Sequence, residues 1–68
     1  MLKSYELKNF LCEIITEDSM YEGEKFFVQT DTLGNASRIA YALYPEEEIT
    51  FRGIYTDFEA EMLGYDTF

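Results

Sequence analysis

The sequence contains no histidine, and its one cysteine is Cys12. Without histidine, the chain cannot assemble a Ser-His or Cys-His nucleophile or a histidine metal site. One cysteine supplies neither a CxxC redox pair nor a thiolate zinc site, and it leaves no partner for an internal disulfide. The missing residue types therefore exclude most catalytic and metal-binding arrangements, and we expect no cofactor.

Glycine is also scarce, with four residues spread along the chain that form neither a P-loop nor a dinucleotide-binding fingerprint. Carboxylate pairs alone can hydrolyse glycosides, but 68 residues leave little room for a deep cleft. The Glu46–Glu48 run, or Asp57 with Glu61, offers weak ligands for Ca²⁺ or Mg²⁺ without the spacing of an EF-hand. We expect neither an enzyme nor a specific metal site.

Basic residues are also few. The chain has 5 basic and 14 acidic residues, for a net charge of −9, and Arg52 is the only basic residue after residue 38. Such a field repels nucleic acid and anionic membranes and attracts basic proteins. Acidic surfaces can also serve solubility alone. The charge therefore predicts a basic protein partner, with no direct contact to nucleic acid or membrane.

Long apolar runs are absent as well. No stretch approaches the roughly 20 apolar residues that span a bilayer, and the first residues are followed by alternating polar ones, unlike a signal peptide. A single cysteine in so short a chain favours a reducing compartment. We expect one cytoplasmic domain over residues 1–68.

The clearest element that is present is a helix over residues 33–44. Asp31 and Thr32 offer N-cap oxygens, and Pro45 ends the helix. At 100° per residue, the apolar side chains form one stripe about 140° wide. Its members are Leu33, Ala36, Ile39, Ala40, Leu43 and Tyr44.

Residues 5–16 allow two interpretations. As a strand, the segment places Phe10, Cys12 and Ile14 on one face and Tyr5 and Leu7 on the other. The apolar alternation therefore changes face near Asn9, as it would at a β-bulge or turn. As a helix, the apolar residues fit the i, i+3, i+4, i+7 pattern, with Ser4 as a possible cap. We favour the strand, because the residue types suit it and a sheet of only two strands would be poor.

Two further strands are predicted on either side of the helix, at residues 24–30 and 48–55. In the first, Phe27 points away from Phe26 and Val28 and needs cover from one of the chain's ends. In the second, Ile49, Phe51, Gly53 and Tyr55 share a face, and Gly53 can mark a bulge. The strand–helix–strand order suggests a right-handed crossover between parallel strands.

A short helix over residues 57–63 completes the pattern. Thr56 and Glu59 form a capping box, Tyr55 and Ala60 a hydrophobic staple, and Gly64 a C-terminal cap. We expect this helix to pack Phe58, Met62 and Leu63 inward, and Tyr65 or Phe68 to enter the core. The fold class is thus α+β: a small ββαβα domain whose short sheet is covered on one face by the 33–44 helix, with the short C-terminal helix beside it.

The C-terminal stretch Glu59-Ala60-Glu61-Met62-Leu63-Gly64-Tyr65-Asp66-Thr67-Phe68 resembles the tail of small uncharacterised acidic bacterial proteins, often carried on conjugative or other mobile elements. The preceding Phe51-Arg52-Gly53-Ile54-Tyr55 shares that pattern. The resemblance covers about a third of the chain and contains no catalytic motif. It implies an accessory role on a mobile element and assigns a function to no residue.

The sequence therefore predicts a non-enzymatic interaction module that presents acidic and tyrosine side chains to a protein partner. A phosphate mimic that inhibits a nucleic-acid-binding protein, of the anti-restriction or anti-CRISPR type, is the alternative. A homodimer paired through Phe27 and the N-terminal strand is a third interpretation. The candidate partner-binding residues are Glu46, Glu47, Glu48, Asp57, Glu59, Glu61, Asp66, Tyr41 and Tyr65.

Overall fold

A computed structural model describes residues 6–68. Within these residues, two helices and one three-stranded sheet follow in the order ββαβα, which confirms the predicted α+β class. The elements are β1 (Lys8–Ile14), β2 (Lys25–Thr30), α1 (Leu33–Leu43), β3 (Ile49–Tyr55) and α2 (Asp57–Leu63).

The N-terminal segment is a strand, as predicted, and it occupies the centre of the sheet. Phe10, Cys12 and Ile14 are buried on one face, and Leu11 is buried on the other. The expected slip at Asn9 is absent, because β1 runs without interruption through it. Tyr5 and Ser4, which entered the two interpretations, lie outside the described residues.

The predicted crossover between neighbouring strands is wrong. The strand order is β2-β1-β3, and β1 pairs antiparallel with both neighbours. The strands β2 and β3 therefore run in the same direction, but β1 lies between them and takes the hydrogen bonds that they would have shared. Both edges of β1 are paired and Phe27 is buried. Neither the N-terminal strand nor Phe27 is therefore available to pair the homodimer considered above.

The larger core lies between the sheet and α1. Thr32 caps this helix by accepting a hydrogen bond from the Asn35 N–H at 3.1 Å, and Ala36 and Ala40 are buried against the sheet. The ends of the predicted stripe behave differently, since Leu33 and Leu43 stay exposed. The reason is that α1 packs mainly on β2 and makes a smaller contact with β1.

The second face of the sheet carries α2 and the C-terminal residues. Phe27 is fully buried there, with the Tyr55 ring 5.7 Å and the Tyr65 ring 5.9 Å from its own. The cover expected for Phe27 therefore comes from the C-terminal part of the chain. The N–H of Phe27 also donates to the Asp66 carbonyl at 2.7 Å, so the last residues lie along the outer edge of β2.

The inward packing predicted for α2 is wrong. Only Ala60 faces the sheet, whereas Phe58, Met62 and Leu63 are exposed. The rings of Tyr55 and Tyr65 already pack on Phe27, and α2 meets this face with the small side chain of Ala60. Tyr65 and Phe68 themselves lie against the core and remain 36 % and 47 % exposed.

A bulge at Arg52 and Gly53 changes the faces of β3. Cys12 pairs with Phe51 and Leu11 with Gly53, so Arg52 is an extra residue. Before the bulge, Phe51 faces α1; after it, Tyr55 faces the opposite side. The four residues predicted on one face are thus divided between two, and Gly53 does mark the bulge, with φ of 152°.

Gly53→Ala should lower the free energy of unfolding by about 1–3 kcal/mol, because an L side chain rarely adopts this backbone conformation. The added Cβ would meet only the Tyr55 ring at 3.5 Å, so the cost comes from the backbone. Chemical denaturation of both proteins measures the difference.

Gly34→Ala is the matched control, since Gly34 lies in α1 with open space around its Cα. There the same change should raise stability by about 0.5 kcal/mol, because alanine is the better helix former. Equal effects at the two glycines would contradict the bulge.

The sheet also carries an ion pair that depends on pH. Arg52 Nε donates to Glu13 Oε1 at 2.7 Å. This hydrogen bond, and then the charges of Arg52 and Lys25, lower the pKa of Glu13 below its ordinary value of 4.5. Because the folded pKa is the lower one, the stabilisation is present above 4.5 and is lost as the pH falls through the folded value.

The difference in unfolding free energy between the protein and its Arg52→Met variant should accordingly be largest near about pH 7 and should shrink in acid. Denaturation curves across this pH range measure it. Arg38→Met removes the same charge from a residue that makes none of the ion pairs found in residues 6–68. A difference for Arg52→Met that stays constant with pH would refute the assignment.

Candidate functional site

The predicted partner-binding residues fall into two groups at opposite ends of β3. Glu46, Glu47 and Glu48 lie in the loop before this strand, and Asp57, Glu59 and Glu61 lie on α2 after it. Seven residues of strand separate the groups by about 20 Å. The structure therefore forms a loop acidic group (Glu46–Glu48) and an α2 acidic group (Asp57, Glu59 and Glu61), and it does not merge them into one face.

Of the two candidate tyrosines, Tyr41 lies near the loop acidic group and Tyr65 lies near the α2 acidic group. The Tyr41 hydroxyl accepts from the Ile49 N–H at 3.4 Å and is 3.3 Å from the Ile49 carbonyl oxygen, to which it donates. It thus ties α1 to the start of β3. Tyr65 lies over Phe27 and lines a cleft with Asp57 and Glu61. The remaining candidate, Asp66, is held by its backbone on the edge of β2.

A hydrogen-bond network around the buried Asn9 fixes the start of α2. Asn9, the only buried polar residue among those described, donates to Asp57 Oδ1 at 2.7 Å and to the Tyr55 carbonyl at 3.2 Å. Gln29 Nε2 donates to Asn9 Oδ1 at 3.2 Å and to Asp57 Oδ1 at 3.3 Å. Asp57 Oδ1 therefore accepts two bonds within the protein, and α2 is anchored to both β1 and β2.

The capping predicted for α2 is present. Thr56 Oγ1 accepts from the Glu59 N–H at 3.1 Å, and Glu59 Oε1 accepts from the Thr56 N–H at 2.9 Å. Gly64 ends the helix in the left-handed conformation with φ of 76°. These bonds satisfy backbone groups at both ends, so a helix of only seven residues has a defined position on the sheet.

The orientation of α2 turns its largest apolar side chains to solvent. At 100° per residue, Phe58 and Met62 each lie about 160° around the helix from the buried Ala60. They are 72 % and 71 % exposed. Glu61 lies about 60° around the helix from Phe58 on one side, and Glu59 lies about 60° from Met62 on the other. We call Phe58 and Met62 the α2 ridge; it is an apolar strip with a carboxylate on each side.

Beside the ridge lies an open groove of about 360 Å³, the α2 groove. Its lining residues are Tyr55, Phe58, Glu59, Met62 and Leu63. Four of these five side chains are apolar or aromatic. The groove was not predicted from the sequence, because the apolar residues of α2 were expected to pack inward. The available signal was the hydrophobic staple, which pairs Tyr55 with Ala60 and with none of the larger apolar residues of α2.

Metal binding and membrane insertion gain no support from the described part of the chain. Within residues 6–68, no three acidic or cysteine side chains come together as metal ligands. Over the same residues, neither helix is long and apolar enough to cross a bilayer.

Cys12 lies at the centre of the sheet and is completely buried. Burial raises the pKa of its thiol to about 12, because the apolar surroundings disfavour the thiolate. The thiolate is the reactive form, so this cysteine is inert in the folded protein.

A thiol-reactive chromogenic disulfide should therefore leave the folded protein unlabelled at neutral pH and should label one thiol per chain in denaturant. Absorbance of the released thiolate measures the reaction. Rapid labelling of the native protein, at the rate of a small free thiol, would contradict the buried position.

Comparison of the chain with protein-family models, with curated proteins and with solved structures gave no match. No relative therefore assigns a role to the α2 ridge or to either acidic group. What the protein does has to follow from its own surface.

Proposed function

We propose that this chain is a non-enzymatic protein-interaction module that binds its partner through the α2 ridge and the adjoining α2 groove. The observation that carries the proposal is the outward orientation of Phe58 and Met62. The C-terminal resemblance adds an accessory role on a mobile element, and the unpaired Cys12 supports a cytoplasmic location.

The energetic argument starts from the exposed ridge. Full burial of a phenylalanine or methionine side chain is worth about 1.5–3 kcal/mol. Phe58 and Met62 gain little of this in the isolated chain, and the capping bonds hold them in one orientation. A partner that covers both therefore gains apolar burial without first ordering the helix. Tyr55 lies next to them as an aromatic anchor, the residue type that dominates many interfaces.

The titratable groups support an interaction role over a catalytic one. Among the described residues, burial raises the pKa of Cys12 in the core, and hydrogen bonds lower the pKa of Glu13, beside Arg52, and of Asp31, before α1. Burial likewise raises the pKa of Tyr44, which packs on Phe26. None of these groups lines the α2 groove.

The separation of the acidic groups bears on the phosphate-mimic alternative. A mimic needs carboxylates in a continuous row, and β3 separates the loop acidic group from the α2 acidic group. Binding that relies on carboxylates alone would weaken steeply with salt, whereas an apolar interface would not.

A double variant, Phe58→Ser with Met62→Ser, should lose the partner that the unchanged protein retains from a lysate of its source organism. The loss should be at least about tenfold, because two apolar anchors are removed. Bound protein is identified by mass after washes of rising salt, and circular dichroism checks that the variant is folded.

Met20→Ser is the control, since Met20 is even more exposed and lies on the loop between β1 and β2. It should retain the partner fully. Retention by the double variant as well would overturn the proposal. Elution of nucleic-acid-binding proteins early in the salt series, with displacement by added DNA, would favour the mimic.

A further inference from the structure

We infer that the segment bound by the α2 groove is a cationic amphipathic helix of the partner protein, with lysine or arginine on both sides of an apolar stripe. This inference rests on the proposed function and adds to it the chemistry of the partner. Two features carry it: the absence of a free backbone edge on α2, and the carboxylates on both sides of the α2 ridge.

The first feature selects a helix over an extended segment. The capping box and Gly64 supply partners for the ends of α2, and its other backbone groups are bonded within the helix. A strand lying along α2 would find no backbone partners on this helix, so its N–H and C=O groups facing α2 would stay unpaired. A helix satisfies these groups internally, and two of its turns match the roughly 10 Å length of α2.

The second feature selects positive charge. No lysine or arginine follows Arg52 in the sequence. Glu61 borders the ridge on one side and Glu59 on the other, and Asp57 lies in the same acidic group. A cationic helix that lays its apolar stripe on Phe58 and Met62 brings its flanking charges to these carboxylates. A second copy of this chain would bring carboxylates against carboxylates, which is unfavourable.

Glu61 is the residue that tests the charge. The Glu59 carboxylate belongs to the capping box, and Asp57 accepts bonds from Asn9 and Gln29. Changing either would disturb α2 itself. Glu61 makes none of the side-chain hydrogen bonds found in residues 6–68 and is exposed, so its charge can be reversed without loss of a structural contact.

The experiment uses two synthetic helical peptides with the same leucine stripe, one flanked by lysine and the other by glutamate. Binding to the full chain is followed by heteronuclear NMR, which reports both affinity and position. The lysine peptide should bind at least about tenfold more tightly, with shifts concentrated at Phe58, Met62 and Leu63. Glu61→Lys should weaken its binding by about three- to tenfold.

Glu46→Lys is the matched control: it changes the net charge by the same amount at the other end of β3 and should alter the affinity by less than about twofold. Equal effects of the two reversals, equal binding of the two peptides, or no binding of the lysine peptide would each overturn the cationic helix. Concentration-dependent dimerisation with shifts at α2 would do so too, because a second copy would then occupy the groove.

The two proposals fail in different ways. If the Phe58→Ser, Met62→Ser variant loses its cellular partner but Glu61→Lys retains it as well as Glu46→Lys does, the interaction surface stands and the cationic helix is wrong. If the double variant keeps its partner, both proposals are wrong.

Discussion

The burial of β1 on both faces is the constraint on which the rest of the structure depends. Phe10, Leu11 and Cys12 are consecutive and buried, so apolar side chains point to both sides of the central strand. A sheet of this kind needs cover on each face. Residues 6–68 contain one long helix, α1, and it covers one face. The other is left to α2 and a few aromatic rings.

This unequal cover of the two faces explains why the α2 ridge is exposed. The second face is already filled by Tyr55, Tyr65 and Phe27, so α2 approaches with Ala60 and turns Phe58 away. The same closeness lets Asn9 reach from the centre of the sheet to Asp57 at the start of the helix. An apolar surface bordered by acids thus results from how a small sheet closes its second layer.

Local signals in the sequence were enough to predict the helices and strands. They were not enough to predict how these elements pack and pair, which depends on contacts between distant residues. The capping box at Thr56 and Glu59 placed α2 at its observed bounds, and the residue types of β1 favoured a strand over a helix. The orientation of α2 could not be read from its own periodicity, because it depends on rings that other elements place above Phe27. The neighbours of β1 were equally hidden, since pairing partners in a sheet depend on contacts between distant residues. For the candidate site, the acids were correctly assigned to a loop and a helix with a strand between them, but the sequence did not show that the length of this strand keeps the two acidic groups from forming one face.

The central position of β1 also governs how the chain folds. Its pairing with β2 closes a short loop, but Asn9 meets Tyr55 across 46 positions of sequence. Closing so long a loop costs entropy before any contact compensates for it, and sheets with distant pairings fold more slowly than those with local ones. The first two strands are close in sequence, but one edge of β1 stays unpaired until β3 arrives. We therefore expect completion of the sheet to be the slow step of folding, and the surface formed by α2, which follows β3 directly, to assemble after it.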